Sequence, residues 1–247
     1  MKSTQTYKIT RRRTGRTEIN VPHRDSNINF VYQKFGPNTY ANVKEAIEKD
    51  GLSAPTMTES ASLLYEAFVK DNEGKELEFN DVKGTMKNRW LWGFTGNLYV
   101  PGKGAYIHDN PQVINGMPYM EESELVKKLE QNDSSVRFVS FGFKTGEMSS
   151  LELSKNLYII NLAGEEGAEK LAEVSDKHKN KKPYLWSFES VKKPLTRVSA
   201  LYSGFFGRRL CVVGFSRGGD RYGYAFGVVA KNFSSGNKSL EQEIGEQ

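Results

Sequence analysis

The residues with the most chemistry in them lie between Leu210 and Ala230, LCVVGFSRGGDRYGYAFGVVA, where apolar, aromatic and basic side chains meet around Gly218 and Gly219. One reading is nucleophilic. Gly214-Phe215-Ser216-Arg217-Gly218 fits G-x-S-x-G, in which a sharp strand-to-helix turn holds a serine hydroxyl out for attack. The histidine that activates such a serine follows it in that arrangement, yet His23, His108 and His178 all precede Ser216. Ser216 is therefore a hydrolase candidate only within a triad of another chain order. His108-Asp109, with Glu121 and Glu122 downstream, is a second acid–base candidate. A metal site would require His108, Asp109, His178 or Glu121 to converge from distant segments, so no metal and no cofactor are expected.

The other reading is binding. A hairpin turning at Gly218-Gly219 would use their freedom to adopt positive φ. Its return strand would put Tyr222, Tyr224, Phe226 and Val228 on one side and Arg221, Gly223, Ala225, Gly227 and Val229 on the other. Buried, the aromatic row is core. Exposed and rimmed by Arg208, Arg209, Arg217 and Arg221, it stacks bases beside phosphate-binding cations. Leu157–Leu162 and Gly223–Phe226 resemble in part the two strand motifs of RNA-recognition motifs. Tyr222 stands where that pattern has a basic residue and Gly227 where it has an aliphatic one, so no family is assigned.

Charge favours the binding reading. The net charge of +5 divides unevenly: residues 1–24 carry seven basic groups against Glu18, residues 25–191 are net acidic, and residues 192–231 carry eight basic groups against Asp220. An acidic body with two basic ends suits a polyanionic partner, or else the ends offset the body's own acidity. The leading expectation is a non-catalytic nucleic-acid-binding protein, with RNA or DNA as partner. Arg11, Arg12, Arg13 and Arg16 of an N-terminal arm would contact phosphates, together with Arg208, Arg209, Arg217, Arg221, Tyr222 and Tyr224 of the hairpin. The alternatives are a hydrolase centred on Ser216 or His108, and a protein-interaction module docking a partner on the glycine-spaced strand or near Trp90 and Trp92.

The elements that must position these residues follow from periodicity. Residues 1–26 read as a mobile basic arm, 27–231 as one globular domain and 232–247 as a polar tail. Ile28, Phe30 and Tyr32 alternate as a strand, and Tyr40, Val43 and Ile47 mark a helix ending near Asp50. Thr56 with Glu59 forms a capping box opening a second helix. Residues 71–88 read as a polar loop, and Trp90–Ile107 as a hairpin turning at Pro101-Gly102. Then come a helix over Glu121–Glu130, strands over Val136–Phe143 and Leu157–Leu162, a helix over Glu165–His178 and a strand over Tyr184–Phe188. The expected fold is α+β: a helical N-terminal half packed on a mixed or antiparallel β-rich C-terminal half, with one βαβ unit over 157–188.

The single cysteine, Cys211, excludes an internal disulfide framework and any multi-cysteine zinc site. No run reaches the roughly 20 apolar residues that span a bilayer, and no apolar leader opens the chain, so no membrane partner and a cytoplasmic location are expected. The first seventeen residues hold no acid, the one hint of a targeting segment.

Overall fold

The central strand is β4, Trp90–Val100, buried along almost its whole length. Its sequence, WLWGFTGNLYV, supplies apolar side chains to both faces, the pattern of a strand covered on two sides. The structure is a computed structural model describing residues 6–11, 15–71, 73–178, 181–204 and 208–229. Among these, the strands that join β4 in one sheet are β1 (Lys8–Thr10), β2 (Glu18–His23), β3 (Ser26–Asn38), β5 (Gly104–Asp109), β8 (Val136–Ser140), β9 (Gly146–Glu147), β10 (Tyr184–Trp186), β11 (Leu195–Tyr202), β12 (Cys211–Ser216) and β13 (Gly223–Val228). The order is β1-β2-β3-β13-β4-β11-β12-β10-β9. β13 lies along the start of β4, while β5 continues the same side of β4 and carries β8 beyond it. A small separate ribbon pairs β6 (Val113–Ile114) with β7 (Met117–Pro118).

Helices cover both faces. On one, Leu91, Tyr99, Leu201, Val212 and Phe226 share a core with Met57 and Leu64 of α2 (Met57–Tyr65) and Ile159 and Leu171 of α6 (Leu157–Asp176). On the other, Trp92, Phe94, Val198 and Val213 meet Tyr40, Val43 and Ile47 of α1 (Tyr40–Lys49). A smaller cluster packs Leu98, Val100 and Tyr106 under Leu125 of α4 (Glu122–Glu130). The capping box expected at Thr56 and Glu59 is present, as is the hairpin of β4 and β5.

The expected division into a helical half and a β half is wrong. Strands run from Lys8 to Val228, with helices interspersed among them. Residues 18–23 and 26–38 are strands because Ile19, Val21, Ile28 and Phe30 alternate into the core, so the expected arm over 1–26 is largely sheet where it is described. The polar loop expected over 71–88 contains α3, Leu77–Asn88, which buries Phe79, Val82 and Met86 at helical spacing. The βαβ unit over 157–188 is absent. Leu157–Leu162 is the first part of α6: the Asn156 side chain caps the amides of Tyr158 and Ile159, and a non-helical Gly164 separates this part from the next. A short apolar run cannot itself distinguish a buried strand from a buried helix. With that strand goes the likeness to an RNA-recognition motif.

The expected hairpin over 210–230 is also overturned. β12 and β13 are separated by β4 and β11 and run in the same direction. The connection from 217 to 222 therefore crosses the sheet instead of turning back. It is pinned on the way: Tyr40 donates its amide to the Gly218 carbonyl at 3.0 Å, and the Trp90 indole donates to Asp220 at 2.5 Å. Residues 230–247, including the expected tail, lie outside the described residues.

Candidate functional site

The crossing connection brings together the residues that stand out chemically. At one end, the Ser216 hydroxyl accepts the Gly218 amide at 3.2 Å, and Arg217 is exposed. At the other, Asp220 accepts the Tyr222 amide at 2.8 Å, Arg221 is exposed, and the Tyr222 ring is 62% exposed with the Arg89 guanidinium 5.4 Å from its centre. Gly218, at φ 68°, passes so close to Tyr40 that a Cβ would lie 3.1 Å from that residue's own Cβ. The path of this loop is thus set by a residue without a side chain.

Below the Arg217 end sits a buried polar chain. The Tyr99 hydroxyl contacts Tyr158 at 2.9 Å and Ser187 at 2.8 Å, and donates to the Gly214 carbonyl at 2.8 Å. Tyr158 donates to Asn97 at 2.9 Å, and Asn97 donates to Ser199 at 2.8 Å. These groups lie on β4, α6, β11, β12 and the segment after β10, so one network ties five parts of the molecule together. A Cβ at Gly214 would fall 1.7 Å from the Tyr158 hydroxyl, which is why β12 carries glycine there. Burial pushes the Tyr99 phenol up to about 12 and Tyr158 further, so both stay neutral and serve as fixed dipoles.

Arg197 of β11 stands at the edge of this network. Its Nη1 donates to the Thr196 carbonyl at 2.7 Å, its Nε is enclosed without an acceptor among the described residues, and its guanidinium lies 5.7 Å from the centre of the Phe188 ring. Burial lowers its pKa, and the neighbouring Arg217 lowers it further.

The residues singled out from the sequence divide sharply. Arg11 is held by Glu78 at 2.6 Å and Glu76 at 2.5 Å, and Arg16 by Asp50 at 2.5 Å. Arg12 and Arg13 lie outside the described residues. Arg208 is exposed in a left-handed turn at φ 61°, and Arg209 pairs with Glu147 at 2.5 Å. Arg217 and Arg221 form no ion pair among the described residues, and neither do Arg89 and Arg197. Tyr224 lies half-buried under the Lys34 ammonium at 5.3 Å, while Phe226 is buried. The aromatic row is thus core at one end and surface at the other.

The catalytic candidates do not assemble. Ser216 is followed by the crossing connection and not by a helix. His23 bonds to Ser62 at 2.9 Å, and His178 uses Nδ1 on the Val174 carbonyl at 2.9 Å. His108 Nε2 accepts from Lys128 at 3.0 Å, while burial first and Lys128 second push its pKa down. Nε2 of His108 is thus taken up by Lys128. Asp109 is committed to Arg137 and Thr95. Among the described residues no cluster of three or more histidine, cysteine or carboxylate side chains is arranged to hold a metal ion, and no helix is long and apolar enough to cross a membrane.

Arg89 and Arg197 escaped the sequence reading. Arg89 sits next to Trp90 with no motif around it, and Arg197 is one basic residue in a strand-like run. Asn97 carried the better signal, a polar residue in the apolar run of β4. Comparison of the chain with protein-family models, curated proteins and solved structures finds no match.

Proposed function

We propose that the protein binds single-stranded nucleic acid along the crossing connection, with Arg89, Arg217 and Arg221 on phosphates and the Tyr222 ring under a base. The observation that carries this reading is the contrast in pairing. The described arginines singled out near the N-terminus meet carboxylates, whereas these three meet none among the described residues, and one of them, Arg89, lies over an exposed aromatic ring. A solvated, unpaired guanidinium keeps its full charge for a phosphate, and a ring with one face open stacks on a base of any identity. A single strand suits one ring and a short basic line better than a duplex, whose grooves need an inserted helix or ribbon.

The test is fluorescence anisotropy with a labelled single-stranded oligonucleotide. Tyr222→Ala should weaken binding by about 1–3 kcal/mol, the worth of one stacked base, and Tyr222→Phe should leave it unchanged. Equal affinity of Tyr222→Ala and the parent protein would remove the stacking role.

A further inference from the structure

We propose that Arg197 and Arg217 together form a site for a terminal phosphate monoester, the end group of the strand bound along the connection; the proposal rests on that reading. Strand order places Arg197 and Arg217 across from each other at the ends of neighbouring strands. Arg197 lies opposite Asn97 in the pairing of β11 with β4, and Arg217 follows the last residue of β12, where Ser216 is in register with Val198. Like charges so placed oppose each other, and half-burial of Arg197 costs further solvation that no carboxylate offsets among the described residues. The acids closest in sequence are turned elsewhere: Glu189 accepts from the Thr145 hydroxyl, and Asp220 accepts from the Trp90 indole and the Tyr222 amide.

The ligand class follows from charge and shape. Near neutral pH a phosphate monoester carries close to two negative charges, which matches two arginines, whereas an internal phosphodiester carries one. Its three terminal oxygens suit forked guanidinium donors. The site is also held in place before a ligand arrives. Arg197 donates to the Thr196 carbonyl and lies over the Phe188 ring, and the adjacent Ser187 is tied through Tyr99 to the Gly214 carbonyl of β12. Arg217 thus sits at the end of a strand anchored by the phenol network.

The experiment uses the full chain and three probes: inorganic phosphate, a 5′-phosphorylated oligonucleotide and the same oligonucleotide ending in a hydroxyl. Inorganic phosphate should raise the Tm of the parent protein in a concentration-dependent way and should do so far less for Arg217→Gln, an exposed position that tolerates the change. The phosphorylated strand should bind about tenfold tighter than the hydroxyl-ended one, the worth of one charge-assisted contact pair. That preference should vanish in Arg217→Gln and shrink in Arg197→Lys, which keeps the charge and loses the fork. Equal binding of the two strands by the parent protein would overturn the phosphate site and leave strand binding standing. Protection by inorganic phosphate, lost in Arg217→Gln, with neither strand bound would leave the phosphate site standing and overturn the strand-binding reading.

Discussion

At the N-terminal end of the chain Arg11 lies between Glu76 and Glu78 and Arg16 meets Asp50; along the crossing connection Arg89, Arg217 and Arg221 meet no carboxylate among the described residues. Read as sequence, the two regions look alike, each a basic cluster at one end of an acidic chain. Folding separates them. β1 and β2 build outward from β3; Arg11, just after β1, meets the acidic start of α3, and Arg16, just before β2, meets the end of α1. There the described arginines offset the body's own acidity. The connection between β12 and β13 instead crosses a surface where Asp220, its one acid, is taken by Trp90 and a backbone amide. Segment charge therefore overstates what is available to a partner, and the pairing of each side chain decides it.

The largest expected effect comes from removing the unpaired charges. The triple change Arg89→Gln, Arg217→Gln and Arg221→Gln should weaken single-strand binding at 0.15 M salt by roughly 50-fold, three phosphate contacts each contributing about 0.7 to the salt slope. Thermal stability should be nearly unchanged, since none of the three is ion-paired among the described residues.

Next is the acidic counterpart of those unpaired arginines. Glu66 opens the π-helical turn Glu66–Lys70 that continues α2; it is 2% exposed, and its Oε2 has no hydrogen-bond partner among the described residues. Burial pushes its carboxyl up to about 7, with Lys70 and Lys170 opposing the shift. The folded state therefore holds a proton that the unfolded chain releases near pH 4.5, so stability falls as pH rises between about 4.5 and 7. Glu66→Gln should flatten that fall and stabilise the protein at pH 8 by about 2 kcal/mol, measured by urea denaturation.

Glu78 has the opposite sign. Its hydrogen bonds to Arg11 hold its carboxyl below the usual range, so its contribution is present above about pH 4.5 and is lost as pH falls through the folded value. Glu78→Gln should lower stability at pH 7 by less than Glu66→Gln raises it at pH 8, and should remove the acid-side dependence. It should leave oligonucleotide affinity unchanged, because Glu76 still holds Arg11. Smallest is Tyr40→Phe. The Tyr40 hydroxyl is buried without a partner among the described residues, so its removal should change stability by less than about 1 kcal/mol and in the favourable direction.

Local signals in the sequence were reliable where the physics is local. The capping box at Thr56 and Glu59, the Pro101-Gly102 turn and the alternation of Ile28, Phe30 and Tyr32 each depend on a few adjacent residues, and each corresponds to an element found. The failures are places where distant residues decide. Leu157–Leu162 suits a strand as well as a helix until Asn156 caps it. Gly218-Gly219 suits a hairpin until β4 and β11 take the positions between β12 and β13. Of the proposed site, Arg217, Arg221 and Tyr222 stand out in the composition, and Arg89 and Arg197 do not, because strand order alone brings them there.

The most direct measurement is the slope of log affinity against log salt for a single-stranded oligonucleotide, compared among the parent protein, Arg89→Gln/Arg221→Gln and Arg11→Gln/Arg16→Gln. If the connection is the binding surface, the first pair lowers the slope by about 1.4 and the second leaves it within error of the parent. A slope that falls with the N-terminal pair and not with the connection pair would contradict the division between paired and unpaired arginines.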